Sequence, residues 1–313
     1  MTSAVVAIGG NAILRKGQEA TVENQMNNLR STCASLAKMV GAGYDIVLVH
    51  GNGPQVGNIV LQNELSRQEV PSMPLDVCVA ESQGQVGFML QQAMGEALRR
   101  AGIARSVLCV LTRTLVDADD PAFRSPSKPI GPYYSEEEAR SLRSRRRWSI
   151  AEDKGRGGWR RVVPSPKPLS IIEARAIKRL ASSGDSVVIA GGGGGVPVVR
   201  RKQQLFGVEA VVDKDLAAAT LARCMQEDLL ILLTDVDAAY LRYGQADQEM
   251  LGEVDVGRMR DHLREGHFAP GSMGPKVEAG IDFVSAAGRR AVITSPELLD
   301  TALASMAGTR IVP

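Results

Sequence analysis

The triplet Asp213-Lys214-Asp215 places a lysine between two carboxylates, after the mainly apolar stretch 208–212 and before the helix-prone Leu216-Ala217-Ala218-Ala219. A strand-to-helix turn of this kind exposes chemistry, because the strand end is rigid and the first helical N–H groups are free to meet an anion. Lys214 and Asp215 are the candidates, although capping of the helix by Asp213 or Asp215 accounts for the same residue types. Glycine-rich turns read as following strands recur at Gly9-Gly10-Asn11-Ala12, from His50 to Gly57, from Gly191 to Gly195, and at Gly271-Ser272-Met273-Gly274-Pro275-Lys276. Without a Cβ the backbone can approach a phosphate closely and aim successive N–H groups at its oxygens. Glycine cradles with lysines beside them suit phosphoryl transfer, where positioning and charge neutralisation outweigh covalent chemistry. Two or three lysines can stabilise the charge on the equatorial oxygens, with an aspartate holding them together against their mutual repulsion.

Other chemistries find no support. The pattern GxxxxGK[ST] is absent, and after Gly51-Asn52-Gly53 the next glycine, Gly57, comes one residue too late for the dinucleotide fingerprint. No GxSxG elbow offers a serine nucleophile. His50, His262 and His267 show no short ligand spacing, so no zinc site and no metal-ligating residues are expected. Thirty-seven Lys and Arg against 35 Asp and Glu leave a charge of +2, which points to neither nucleic acid nor membrane as a partner. No window reaches the roughly 18 uncharged apolar residues of a membrane span. Cys33, Cys78, Cys109 and Cys224 are scattered, without a CxxC pair, which fits a reducing cytoplasm. The N-terminus from Met1 to Ile8 runs into a strand-like segment without the features of a cleavable signal.

The elements that must position these residues follow from apolar periodicity. Short apolar runs predict strands at 4–8, 46–49, 106–111, 186–190, 209–212, 229–233 and 291–294. Helical spacing predicts helices at 23–40, 54–64, 81–101, 170–182, 216–225, 275–287 and 296–305, with Gly288 as a stop. The alternation is that of an α/β protein with a mostly parallel sheet covered by helices. Residues 117–168 break the pattern: proline, glycine and charge dominate, as in an insertion. Arg140, Arg143, Arg145, Arg146, Arg147, Lys154, Arg156, Arg160 and Arg161 make it basic, read mainly as a solvated surface.

These blocks, taken in order, resemble the carbamate kinases of the amino acid kinase superfamily along essentially the whole chain. The resemblance rests on Gly9-Gly10-Asn11-Ala12, His50 to Gly57, Pro74-Leu75-Asp76-Val77-Cys78, Lys128-Pro129-Ile130-Gly131-Pro132, Gly207 to Ala219, Leu233-Thr234-Asp235-Val236-Asp237 and Glu265 to Glu278. It implies a three-layer sandwich around one mainly parallel eight-stranded sheet with a small protruding lid at 117–168. An N-terminal lobe, 1–200, would hold carbamate or carbamoyl phosphate, and a C-terminal lobe, 201–313, the nucleotide. The implied activity is reversible in-line phosphoryl transfer between ATP and carbamate, with Mg2+ held mainly through nucleotide phosphates and no phosphoenzyme. Small molecules are the implied partners, in a cytoplasmic homodimer of arginine metabolism.

Residue by residue, Lys214 and Lys276 match the lysines that contact the transferring group, and Asp215 the aspartate that organises them. Lys128 matches a lid lysine; most of the superfamily carries a lysine at the position of Ala7, and Lys128 is implied to replace its charge. Gly10, Asn11, Gly51, Asn52 and Gly53 match the acceptor loops. Asp235, Val236, Asp237 and Tyr240 match the adenosine-side segment, and Met273 and Gly274 the loop near the nucleotide phosphates; loop packing accounts equally well for Asp237 and Tyr240. Gly191, Glu81 and Val49 depart from residues frequent in the family. The alternatives are a related kinase acting on another small acid, or a catalytically silent nucleotide-binding relative.

Overall fold

Runs such as Ala4-Val5-Val6-Ala7-Ile8 are apolar at every position, as a strand buried on both faces requires. In the computed structural model, which describes residues 2–15, 17–146, 148–153 and 157–313, all five are buried. Among these residues eight strands form the main sheet, in the order Glu253–Asp255, Thr309–Val312, Arg290–Thr294, Leu229–Leu233, Ser3–Ile8, Asp45–His50, Ser186–Ile189 and Ser106–Cys109. Pairing is parallel from Arg290–Thr294 through to Ser106–Cys109; Thr309–Val312 runs antiparallel to Arg290–Thr294, with Glu253–Asp255 parallel to Thr309–Val312.

Helices cover both faces, with α4 set apart in the 117–168 stretch: α1 Val22–Gly41, α2 Gly53–Ser66, α3 Leu75–Arg100, α4 Glu136–Arg146, α5 Ala174–Ala181, α6 Lys214–Met225, α7 Val256–Arg264, α8 Met273–Ala287 and α9 Leu299–Leu303. The period of two divides the core. Val5, Ala7, Val47, Leu230 and Leu232 pack with Leu221, Val277 and Phe283 of α6 and α8, whereas Ala4, Val6, Ile46, Leu48 and Ile231 pack with Leu29, Leu36, Leu90 and Leu299 of α1, α3 and α9. Truncating any of these buried leucines to alanine costs about 2–5 kcal/mol. Gly288, at φ +61°, ends α8 in the left-handed conformation that glycine adopts freely, as the sequence predicts.

Residues 117–168 form a separate small unit rooted in a second sheet. The chain leaves along Arg113–Val116 and returns along Pro168–Ile171, which pair antiparallel; Val196–Arg201 and Gln204–Gly207 complete that sheet. Between them lie α4 and an antiparallel sheet of Lys128–Tyr134, Trp159–Val163 and Ile150–Glu152. This unit is docked on α2 through a glycine pair: a Cβ on Gly57 would fall 2.0 Å from the Cα and N of Gly131. Arg160 locks the contact by donating from Nε and Nη2 to the Gly131 carbonyl, at 3.1 and 2.8 Å.

Three expectations need correction. Residues 209–212 are mostly buried but form no ladder: Glu209 lies in a bend, the Val211 N–H goes to the Pro164 carbonyl and that of Ala210 to Val208, so apolarity marked burial rather than pairing. The helix expected over 170–182 begins only at Ala174, because Ser170 and Ile171 pair with Leu115 and Thr114. The basic stretch is not simply solvated: Arg161 and Arg146 lie over the Trp148 ring, Arg143 over Trp159 and Arg160 over Tyr133, with guanidinium carbons 4.5–5.1 Å from the ring centres. Cation–π stacking of this kind holds arginines on a small, core-poor unit. Met1, Arg147, Lys154 and Arg156 lie outside the described residues. Among the described residues no helix is long and apolar enough to cross a membrane.

Candidate active site

Asp213 adopts extended backbone angles just before α6, and its Oδ1 accepts from the N–H groups of Asp215 (2.9 Å) and Leu216 (3.5 Å). The capping explanation is therefore correct for Asp213. Its second oxygen, Oδ2, takes a short ion pair from Lys128 Nζ, which arrives from the first strand of the 117–168 unit. Sequence reasoning missed this second task. A usable signal existed in charge counting, since three lysines converging on Asp215 alone leave one cation without a carboxylate.

Asp215, in the first turn of α6, is buried and meets two lysines: Lys214 Nζ at 2.6 Å from Oδ1, and Lys276 Nζ at 3.2 Å from Oδ1 and 3.1 Å from Oδ2. Lys276 lies in the first turn of α8, which packs against α6 and brings it from 61 residues away. The cluster thus sits where the N-termini of α6 and α8 converge, and free N–H groups and helix dipoles favour an anion there. Burial drives the Lys214 ammonium down to about 8, only partly opposed by Asp215. Burial acts the same way on Lys276, but the Asp215 carboxylate outweighs it and holds this lysine above the ordinary range. Burial works to raise Asp213, yet Lys128 and Lys214 hold it well below the usual carboxylate range.

The glycine turns open beside this cluster. Gly9-Gly10 and His50-Gly51 follow neighbouring strands paired Ile8 to His50, so both turns emerge at one edge of the sheet. Lys214 lies along Gly51, where a Cβ would meet its Cδ at 3.3 Å. Asn52 is buried, donates to Ser82 Oγ at 2.8 Å, and occupies the space a Cβ on Gly193 would need. Gly53 begins α2 and faces the Pro129 carbonyl, next to Lys128. His50 is fully buried; its Nδ1 lies 3.0 Å from the Gly51 carbonyl, and burial pushes its pKa down to about 4. It shapes the turn as a neutral ring, with Nε2 facing Gly192 and meeting no hydrogen-bond partner among the described residues. Positive φ at Gly191, Gly193, Gly194 and Gly195 lets that turn pass within van der Waals reach of Asn52 and Val212.

A second group forms at the end of Leu229–Leu233. Asn11 donates to Asp235 Oδ2 at 2.5 Å, joining the first glycine turn to the segment 235–240. Tyr240 donates to Asp237 Oδ1 at 2.6 Å, and that bond raises the phenol to about 12. Val236 is half-buried; Met273 and the buried Gly274 open α8. The turn at 271–276 follows α7 rather than a strand, a correction to the sequence reading. The short ligand spacing that the sequence lacks is approached in space, where ligand atoms of His262, Glu265 and His267 lie within 4.8 Å of one another.

The profile of the amino acid kinase family matches residues 3–295. The chain is 47% identical over 315 residues to the carbamate kinase of Thermococcus kodakarensis, covering 100% of this chain and 99% of that one. The carbamate kinase of Giardia lamblia bound to citric acid superposes with a TM-score of 0.94 at 41% identity, covering 99% of this chain and 98% of that one. The same enzyme bound to AMP-PNP gives 0.90 at 42%, with the same coverage. With eight parallel-dominated strands, the lysine–aspartate cluster and full-length similarity in agreement, the chain belongs to the amino acid kinase family, within its carbamate kinase branch.

Proposed function

We propose that the protein interconverts ATP plus carbamate with ADP plus carbamoyl phosphate by direct in-line transfer, using Lys128, Lys214 and Lys276 to stabilise the transferring group. The observation that carries this reading is the gathering of those lysines on Asp213 and Asp215 at the N-termini of α6 and α8. Carbamate is already anionic, so attack on the γ-phosphorus needs no general base, in keeping with the buried, neutral His50. In the loose transition state negative charge is spread over the equatorial oxygens and develops on the leaving oxygen, and the lysines bind that arrangement more strongly than the ground state. Asp215 keeps two buried ammonium groups together until the phosphoryl group arrives.

Carbamate, or the carbamoyl end of the product, fits against Gly10, Asn11, Gly51, Asn52 and Gly53. The nucleotide lies along Asp235, Val236, Asp237 and Tyr240, with its phosphates toward Met273 and Gly274. On this reading 1–200 is the acceptor lobe and 201–313 the nucleotide lobe. Asp213 and Asp215 are paired to lysines, Asp235 to Asn11 and Asp237 to Tyr240. That donor set fits a magnesium ion carried by nucleotide phosphates rather than an all-protein cage, where it would supply further charge neutralisation. The reading also carries a cytoplasmic homodimer in arginine metabolism, and the four free thiols accord with a reducing compartment.

A kinase for another small acid is the nearest rival; Ala7 in place of a lysine and the Lys128–Asp213 pair favour carbamate. Incubation of the pure protein with ADP, magnesium and carbamoyl phosphate should form ATP, and a panel of carbamate, acetate, glutamate and aspartate should select carbamate in the reverse direction. ATP formation no faster than the uncatalysed background overturns the proposal, as does preference for another acid.

A further inference from the structure

The carboxyl end of α7 carries a grouping that phosphoryl transfer does not use. His262 lies in the last turn of α7, Glu265 caps it, and Gly266, at φ +80°, reverses the chain so that His267 comes back beside the helix. The His267 N–H donates to the His262 carbonyl (3.3 Å) and the Gly266 N–H to that of Leu263 (3.2 Å), which fixes the backbone of the reversal. On this frame Glu265 Oε2 lies 3.4 Å from His262 Nδ1 and 3.2 Å from His267 Nε2. The two rings meet edge to face with centres 5.7 Å apart.

These separations have a specific chemical meaning. A tetrahedral zinc ion with bonds of about 2.0–2.1 Å holds its ligand atoms about 3.3 Å apart. Both measured edges match that length, and one atom from each of the three residues lies within 4.8 Å of the others. The histidine side chains are 13% and 21% exposed and that of Glu265 is 57% exposed, so two ligands are held in place while the carboxylate side stays open to water. Two imidazoles and a carboxylate select a borderline transition metal over the hard magnesium ion that kinase chemistry uses.

We propose that His262, Glu265 and His267 form a binding site for a divalent transition metal of the zinc type, with a fourth position left to water. The site is separate from the lysine cluster but coupled to it through the chain. His267 is followed by the buried Phe268 and by Ala269, whose carbonyl accepts from the N–H groups of Ser272 and Gly274 at the start of α8. Metal binding therefore ties the end of α7 to the loop that leads into Met273, Gly274 and Lys276, and stabilises that loop.

The test uses the full chain without an affinity tag, stripped by chelator dialysis and titrated with zinc alone against a chromophoric chelator. One zinc per chain is expected, unaffected by millimolar magnesium, with the melting temperature raised by roughly 5 °C at a hundredfold excess over Kd. His262→Ala and His267→Ala should each weaken binding by about a hundredfold or more, beyond the range for an outer-shell partner. Absence of saturable zinc binding overturns the proposal. So does undiminished binding in both variants, which would move the metal to the exposed thiols of Cys109 or Cys224. Cobalt bound to the wild-type chain gives an answer that does not depend on the variants folding: intense d–d bands without thiolate charge transfer support the site, and thiolate charge transfer refutes it.

Discussion

Replacing Asp215 by asparagine keeps the shape of the cluster and removes the charge that holds it together. Both lysine Nζ atoms contact Asp215 Oδ1, at 2.6 and 3.2 Å, so Asp215→Asn removes from Lys214 an attraction of at least about 3 kcal/mol at an effective dielectric of 20 and leaves the repulsion between the two ammonium groups unopposed. That energy corresponds to about two pKa units. Lys214 already titrates at about 8 because of burial. In Asp215→Asn it loses its proton about two pH units lower still, and the variant is short of one phosphoryl-binding cation at neutral pH. Turnover should fall by about two to three powers of ten, by analogy with the loss of an oxyanion donor. The sign of the pH effect follows from which form works. The ammonium is the active form, so wild-type turnover declines as pH rises through about 8, and the variant's decline shifts to lower pH. ATP formation from ADP and carbamoyl phosphate, followed by a coupled assay between pH 5.5 and 9, reads both effects. Turnover within about tenfold of wild type at pH 7, or a declining limb that stays where it was, refutes the reasoning.

Lys214→Ala and Lys276→Ala should each lower kcat by about two to three powers of ten while leaving nucleotide affinity, read by calorimetry, much less changed. Asp213→Asn should cost about 2 kcal/mol in denaturant unfolding, between the values for exposed and fully buried pairs. Because the folded-state pKa of Asp213 is depressed, its contribution is present above about pH 4 and is lost on acidification below that value, so the variant should show a flatter acid limb of stability. Gly57→Ala should cost about 3 kcal/mol and loosen the 117–168 unit from α2, since its Cβ meets backbone that cannot rotate away; limited proteolysis within that unit is the sensitive readout. With His50 neutral down to about 4, the rate profile should lack a limb near pH 6.5, and a histidine limb there would contradict the buried geometry.

Much of this architecture is legible in the sequence. Helix α8 was readable because Val277, Ile281 and Val284 repeat on one face and Gly288 ends it. The strand at Ser3–Ile8 was readable because every residue after Ser3 is apolar and buried. The small unit at 117–168 could be placed but not built: its strands gain order from arginine–aromatic stacking and from the Gly57–Gly131 contact, and neither leaves an apolar period. The stretch 209–212 misled for the converse reason, being apolar without pairing.

The sequence by itself determined the class of fold and the glycine turns, because periodicity and residue type are local properties, and through its family resemblance it pointed to Lys128, Lys214 and Lys276. Only the tertiary structure decided that Lys276 shares the Asp215 carboxylate with Lys214 and that Lys128 takes the spare oxygen of Asp213. Those pairings join residues 61 and 85 positions apart, and they depend on the packing of α8 against α6 and on the docking of the small unit against α2. Ion pairs act over a few ångströms in space, whatever the separation along the chain.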